Sequence, residues 1–197
     1  QQTIYQANVL RGDTEILASL FVDEQLASGF EAARILGFSD LWESSQAGAI
    51  YLAQNVALVD KYLKSVSIQA SARITTPEET SEIPITIVNK SDRAVSVSVN
   101  LTSKATSRFS AQPSELIQIE SGQRITVPVV ITLVGAGFVD VQAQLIAPNG
   151  ESFGEVENIQ ISSAAFSQFA RTLVWGAFGL LVLLALSNFI KRRKEKS

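Results

Sequence analysis

The stretch "RITVPVVITL", Arg124–Leu133, puts Ile125, Val127, Val129, Ile131 and Leu133 on one side and polar or small residues on the other. A period of two among β-branched residues predicts a strand with one buried face. The same alternation runs through "VSIQASARI" at 66–74, "IPITIVN" at 83–89 and "VSVSVNLT" at 95–102. "ELIQIE" at 115–120, "GFVDVQAQLI" at 137–146 and "EVENIQIS" at 155–162 bring the expected strands to seven. Half-buried sheets must cover one another, so residues 66–162 are expected to form an immunoglobulin-like all-β sandwich of about 100 residues. Pro113, Gly122, Gly135, Gly137 and the "PNG" of Pro148–Gly150 punctuate the runs. Pro84 and Pro128 fall inside runs, where a residue without an N–H belongs at an edge or a bulge.

Before Val66 the period is helical. "DTEILASLFVDEQLASGFEAARILGF" at 13–38 reads as one or two helices with Asp13 as N-cap. Ala49, Leu52, Val56, Val59 and Leu63 then form the apolar stripe of another helix. Residues 1–65 are thus expected to be a helical collar on the sandwich, or the end of a larger region. Phe21, Phe30 and Trp42 are its bulky candidates for partner contacts, with core packing as the competing role.

The other end of the chain is of a third kind. Thr172–Ile190 carries no charge over nineteen residues. A helix of that length spans roughly 28 Å, against ~30 Å of bilayer hydrocarbon. Trp175 would sit in the interfacial aromatic belt, and Leu180, Leu181, Leu183, Leu184, Phe189 and Ile190 in the lipid. Lys191, Arg192, Arg193 and Lys194 give the topology signal: tail 191–197 cytoplasmic, residues 1–170 extracytoplasmic, on a plasma membrane. The expected fold class is therefore an α+β membrane protein: a short helical N-terminal region, an immunoglobulin-like sandwich, a hinge at 163–171 and one C-terminal transmembrane helix at 172–190. The lipid bilayer is its first expected partner. Neither a cell-wall sorting peptide nor a lipid-anchor signal accompanies the run.

Composition closes off most chemistry. The 197 residues sum to a charge of −3. Five basic and one acidic residue give Lys191–Ser197 a charge of +4, which leaves −7 on everything before it. An acidic body is a poor partner for nucleic-acid phosphate. With no Cys and no His there is no thiol, no imidazole base and no histidine-ligated metal. The absence of Met, the initiator included, marks an expected processed or excised piece.

The short motifs add little. "RGD" at Arg11–Asp13 matches an adhesion tripeptide, with chance as the stronger explanation. "NKS" at Asn89 and "NLT" at Asn100 match the glycosylation sequon. Glu78, Glu79 and Glu82, and Glu151, Glu155 and Glu157, cluster without the spacing of a calcium loop, and read as solvated loop charge. No catalytic, cofactor-binding or metal-ligating residue is expected, and no small-molecule substrate.

Taken in order, "ARILGFSDLWESS", "VSIQASARITT", "IPITIVNKSDRAVSVSVNL" and "RITVPVVITLVGAGFVDVQAQLIAPNGESFGEV" resemble one family. The chain is similar, from about Leu17 onward, to the C-terminal portion of large actinobacterial envelope proteins with an uncharacterised domain, anchored by their last helix. The resemblance implies an exported protein and no catalytic residues. The charged turn "NKSDRA" and the missing long N-terminal part depart from it. The expected function is non-enzymatic: an anchored envelope protein that binds other membrane or envelope proteins through its extracytoplasmic domain, as accessory subunit of a membrane complex. The alternatives are a surface stalk displaying a further N-terminal domain, catalytic or not, and an endoplasmic-reticulum accessory protein.

Overall fold

The computed structural model describes residues 1–21, 24–135, 137–164 and 175–179. Three helices come first: α1 (Gln2–Leu20), α2 (Glu24–Leu36) and α3 (Ser45–Leu63). Ala7, Leu10, Thr14, Leu17 and Leu20 recur every three or four residues along α1 and are its buried stripe. Because that stripe starts at Ala7, Asp13 lies mid-helix and caps nothing, which corrects the helix start expected there. In α3, Ser44 is the N-cap, its Oγ accepting the Ala47 N–H at 3.2 Å. The buried face of α3 is Gly48, Ala49, Leu52, Val59 and Leu63.

Nine strands follow: β1 (Val66–Gln69), β2 (Arg73–Thr76), β3 (Thr80–Asn89), β4 (Val95–Thr102), β5 (Phe109–Ala111), β6 (Ile117–Ile119), β7 (Arg124–Leu133), β8 (Phe138–Ile146) and β9 (Ser152–Ser163). They form two sheets, in the orders β1-β3-β7-β5 and β2-β9-β8-β4-β6. Ile83, Ile85, Ile87, Val127, Val129 and Ile131 from one sheet bury against Val97, Val99, Val141, Leu145, Ile159 and Ile161 from the other. This is the immunoglobulin-like sandwich.

The expected strand at 66–74 is two strands. β1 pairs antiparallel with β3, whereas β2 pairs parallel with β9 in the opposite sheet. The alternation misleads because Ala70, Ser71 and Ala72 carry too little bulk to mark where the chain crosses over. β5 escapes sequence reading because three residues show no period. Toward the C-terminal end of β8 and the start of β9 the register jumps between Ala143↔Glu157 and Leu145↔Phe153, a bulge in β9 that contains Gly154 at φ +74°.

Pro84 and Pro128 stand directly opposite each other on β3 and β7. Two residues without N–H cannot exchange ladder bonds, so this is a non-hydrogen-bonded position, with both ring nitrogens turned to the outer flanks. Both flanks are open there. β1 covers β3 only at Thr86–Asn89, and β5 covers β7 only at Ile131–Leu133. Each proline is therefore a local edge position in a strand that is central elsewhere.

One polar side chain joins the sheets. Asn89 is fully buried at the end of β3, and its Nδ2 donates to the carbonyls of Arg93 (2.7 Å), Ile119 and Glu120 (both 3.1 Å). Its Oδ1 accepts from the Ser91 N–H (2.9 Å) and hydroxyl (2.6 Å). Since Ile119 belongs to β6, this amide links the turn after β3 to the opposite sheet. The sequon nitrogen is thus spent inside the fold, which the "NKS" pattern conceals.

The helices share the sandwich's core: Leu10, Leu17, Leu20, Phe21 and Leu63 belong to the same continuous cluster as the strand residues. Phe21 makes the junction, bridging Val95 at the start of β4 and setting its ring edge-on to Tyr62 at 6.1 Å.

The fold class expected from sequence needs correction. Among the described residues no helix is long and apolar enough to cross a membrane. The nineteen-residue α1 and α3 are long enough but carry charged faces, including Arg11, Asp13 and Glu15 on α1 and Asp60 and Lys61 on α3. Of the expected span at 172–190 only 175–179 are described, as one helical turn with Trp175 exposed. Leu180, Leu181, Leu183, Leu184, Phe189 and Ile190, and Lys191, Arg192, Arg193 and Lys194, lie outside the described residues. The described fold is an α+β domain of three helices on a sandwich.

Candidate interaction surface

The loop from α2 to α3 carries an unusual load. Leu41 is 88% exposed and Phe38 51%, with Ile35 and Leu36 exposed at the end of α2 and Ile4 near the start of α1. Ile4, Phe38 and Trp42 line one depression of about 440 Å³; Leu36, Leu41, Trp42 and Tyr51 line another of about 230 Å³. Trp42 belongs to both, so its indole joins the apolar pocket at Leu41 to a mixed one in which Ile4 and Phe38 stand among Thr3, Ser39, Asp40 and Ser45. Contiguous apolar surface on a domain marks a contact site far better than scattered exposed leucines do.

The loop's bonds hold it in place. The Trp42 indole N–H donates to the Leu36 carbonyl at 2.7 Å, and the ring lies 5.0 Å from that of Tyr51 on α3. Ser39 Oγ accepts the Leu41 N–H at 3.2 Å. Thr3 Oγ1 donates to the Ser45 carbonyl at 3.1 Å, which ties the start of α1 to the same place. Two glycines let the loop lie directly on α3. A Cβ on Gly37 would stand 2.4 Å from Leu52 Cγ, and one on Gly48 would stand 2.5 Å from the Gly37 carbonyl oxygen. A fixed apolar patch loses little conformational entropy on binding, which favours its use as a contact.

Asp40 brings one charge to the larger depression, and further charges lie around it. On α2, Arg34 and Glu31 form a paired fork at 2.9–3.0 Å, and the hydrogen bond from Arg34 lowers the Glu31 carboxyl below its ordinary range. Deeper in the helices, Asp13 faces Asp60; burial first, and then that like charge, raise its pKa.

The model of a family of unknown function, DUF6049, matches residues 8–195. The chain belongs to that family. For this DUF6049 chain no curated protein is a match. Among solved structures it is similar to WR4, an MSP family member of C. elegans, at 9% identity over 51% of this chain and 99% of that one, with a TM-score of 0.35. A FixG-related protein from Vibrio parahaemolyticus matches at 11% identity, 50% and 94% coverage and a TM-score of 0.36. PapD-like domain 7 of human CEP192 matches at 18% identity, 51% and 84% coverage and a TM-score of 0.33. Likeness at these scores assigns no function to the DUF6049 chain.

Of the three aromatic residues singled out from the sequence, the structure brings only Trp42 to the patch. Phe21 and Phe30 are buried, both edge-on to Tyr62 at 6.1 and 6.3 Å, so their side chains offer no surface. The residues that sequence reasoning missed are Phe38 and Leu41. Their signal is there in "GFSDLWESS": large apolar side chains inside a loop of Gly, Ser, Asp and Glu, where turn chemistry alone asks for none. The "RGD" tripeptide lies within α1, with Arg11 pairing Glu15 at 3.7 Å. Asn100 sits in β4 opposite Gln144. Among the described residues no group of three or more carboxylates gathers to hold a metal.

Proposed function

We propose that this chain is a non-enzymatic protein-interaction module of the actinobacterial cell envelope, an accessory subunit that docks to membrane or envelope proteins through the patch around Trp42 and Leu41. The observation that carries the reading is a contiguous apolar surface held rigid by its own glycines and hydrogen bonds. Such a patch costs stability in water unless something covers it. The location, at the plasma membrane with residues 1–164 on the extracytoplasmic side, is supported by the sequence: an acidic body, a basic end, and the likeness to large envelope proteins. The sandwich then serves as the rigid mount of the helices.

The test is a full-length chain extracted in mild detergent, sized under native conditions, with a photo-crosslinker at position 41. A defined membrane protein should co-migrate and crosslink at that position. Leu41→Asp combined with Phe38→Asp should abolish both while leaving the thermal melt within a degree or two, since exposed substitutions rarely cost more than about 0.5 kcal/mol. Wild-type chain migrating alone would overturn the reading and leave a display stalk in its place.

A further inference from the structure

A further depression lies elsewhere, on the outer face of the β8–β9 sheet, under the loop that follows β4. It is an open groove of about 590 Å³, within the volume range of sites that hold small ligands. Its floor is built from cross-strand partners: Asp140 opposite Gln160, and Gln142 opposite Asn158. Phe138 stands at one end, 53% exposed, with the Arg73 guanidinium 5.5 Å from its ring centre. Lys104 and Arg108 line its loop side, Arg108 with its Nε donating to the Val134 carbonyl at 3.3 Å.

The floor's chemistry is specific. Each primary amide presents donors and an acceptor side by side, which is what a sugar hydroxyl, itself donor and acceptor, can satisfy at both ends. The amides do not collapse freely. Gln160 Nε2 donates to Asp140 Oδ1 at 3.0 Å and its Oε1 accepts from Arg73 Nε at 3.2 Å, so that amide is oriented. The loop is tied down as well, Ser103 Oγ donating to the Asp140 carbonyl at 2.6 Å. An exposed aromatic ring beside an amide row supplies the apolar surface on which the C–H face of a sugar ring packs. The charges decide what kind of sugar. Lys104, Arg108 and Arg73 outnumber Asp140 here, against a body whose net charge is −7 before the basic tail. We infer that this groove binds a saccharide chain carrying an acidic group, its hydroxyls on Gln142 and Asn158, one ring against Phe138 and the acid toward Lys104 and Arg108.

The inference is independent of the patch at the α2–α3 loop and is tested by calorimetry on the full-length chain. The probes are oligogalacturonates of one to six rings for a carboxylate, phosphorylated mannose oligomers for a phosphate, and neutral galactose and mannose oligomers of the same lengths. One acidic set should bind at least tenfold more tightly than its neutral counterpart, with affinity rising over the first few rings and falling with added salt. Asn158→Ala, Phe138→Ala and Lys104→Ala should each weaken binding about tenfold. Thr86→Ala on the opposite sheet should not, and all four should keep the wild-type melt. Neutral and acidic oligomers binding alike would overturn the acidic assignment. No heat with any oligomer, or binding that ignores all three groove substitutions, would overturn the site.

Discussion

The sandwich and the helices treat their misfit groups in opposite ways. At the end of β3 the sandwich buries an amide, and both ends of the Asn89 side chain are satisfied by carbonyls, an N–H and a hydroxyl. The helices bury the Thr14 hydroxyl with no partner among the described residues, set Asp13 near Asp60, and leave Leu41 and Phe38 in water. At Asn89 the sandwich answers a buried amide entirely from its own backbone and a neighbouring serine. Of the helices' features, the exposed Leu41 and Phe38 are the ones that the partner proposed above would cover.

The contrast can be broken at its strongest point first. Asn89→Ala removes both halves of the network and strands buried carbonyls, so denaturant unfolding should show a loss of about 3–5 kcal/mol. A loss under about 1 kcal/mol would mean that the amide is no organiser and the contrast fails. Gly48→Ala comes next. The new methyl meets backbone, not a flexible side-chain tip, and should cost about 2 kcal/mol while shifting the Trp42 emission as the loop lifts from α3. Thr14→Val should sharpen the comparison from the other side, raising stability by about 1 kcal/mol because an unanswered hydroxyl leaves the core. No equivalent gain is available at Asn89.

The smallest effect is Asp13→Asn, a pH-dependent gain. The folded carboxyl has a raised pKa, so it holds its proton more tightly than the unfolded chain does, and its charge is a penalty once ionised. The penalty is absent below the ordinary value of 3.8, grows as pH rises toward the folded pKa and is complete above it. Thermal melts of Asp13→Asn should therefore exceed wild type at neutral pH and converge with it on acidification. A gain that persists unchanged at the acid end would assign the effect to something other than ionisation.

Much of the sandwich is legible in the sequence because its strands obey a period that bulky residues make visible. β4 and β7 begin and end where "VSVSVNLT" and "RITVPVVITL" do. What fails is the reading of small residues: Ala70–Ala72 keep the period while the chain changes sheets. α1 is half hidden because "QTIYQANV" has only Ala7 for a buried side chain ahead of Leu10, and one alanine makes no stripe. The candidate surface is partly legible through Trp42, whereas Phe21 and Phe30, equal to it in bulk, turn inward. Trp42 is set apart by the path of its loop over α3 at Gly37 and Gly48, and close approach of two backbones leaves no periodic trace.

The parallel pairing of β2 with β9 bears on how this domain would carry a load. β9 ends beside the end of β2, where the Ala164 N–H donates to the Thr76 carbonyl at 2.8 Å. A pull on the chain beyond residue 164, resisted through the helices that lead into β1 and β2, draws the two strands in opposite directions along their length. Their bonds are then in shear and must fail together, where an antiparallel end would peel one bond at a time. The same geometry that finishes the sheet sets its C-terminal end to resist a pull in shear.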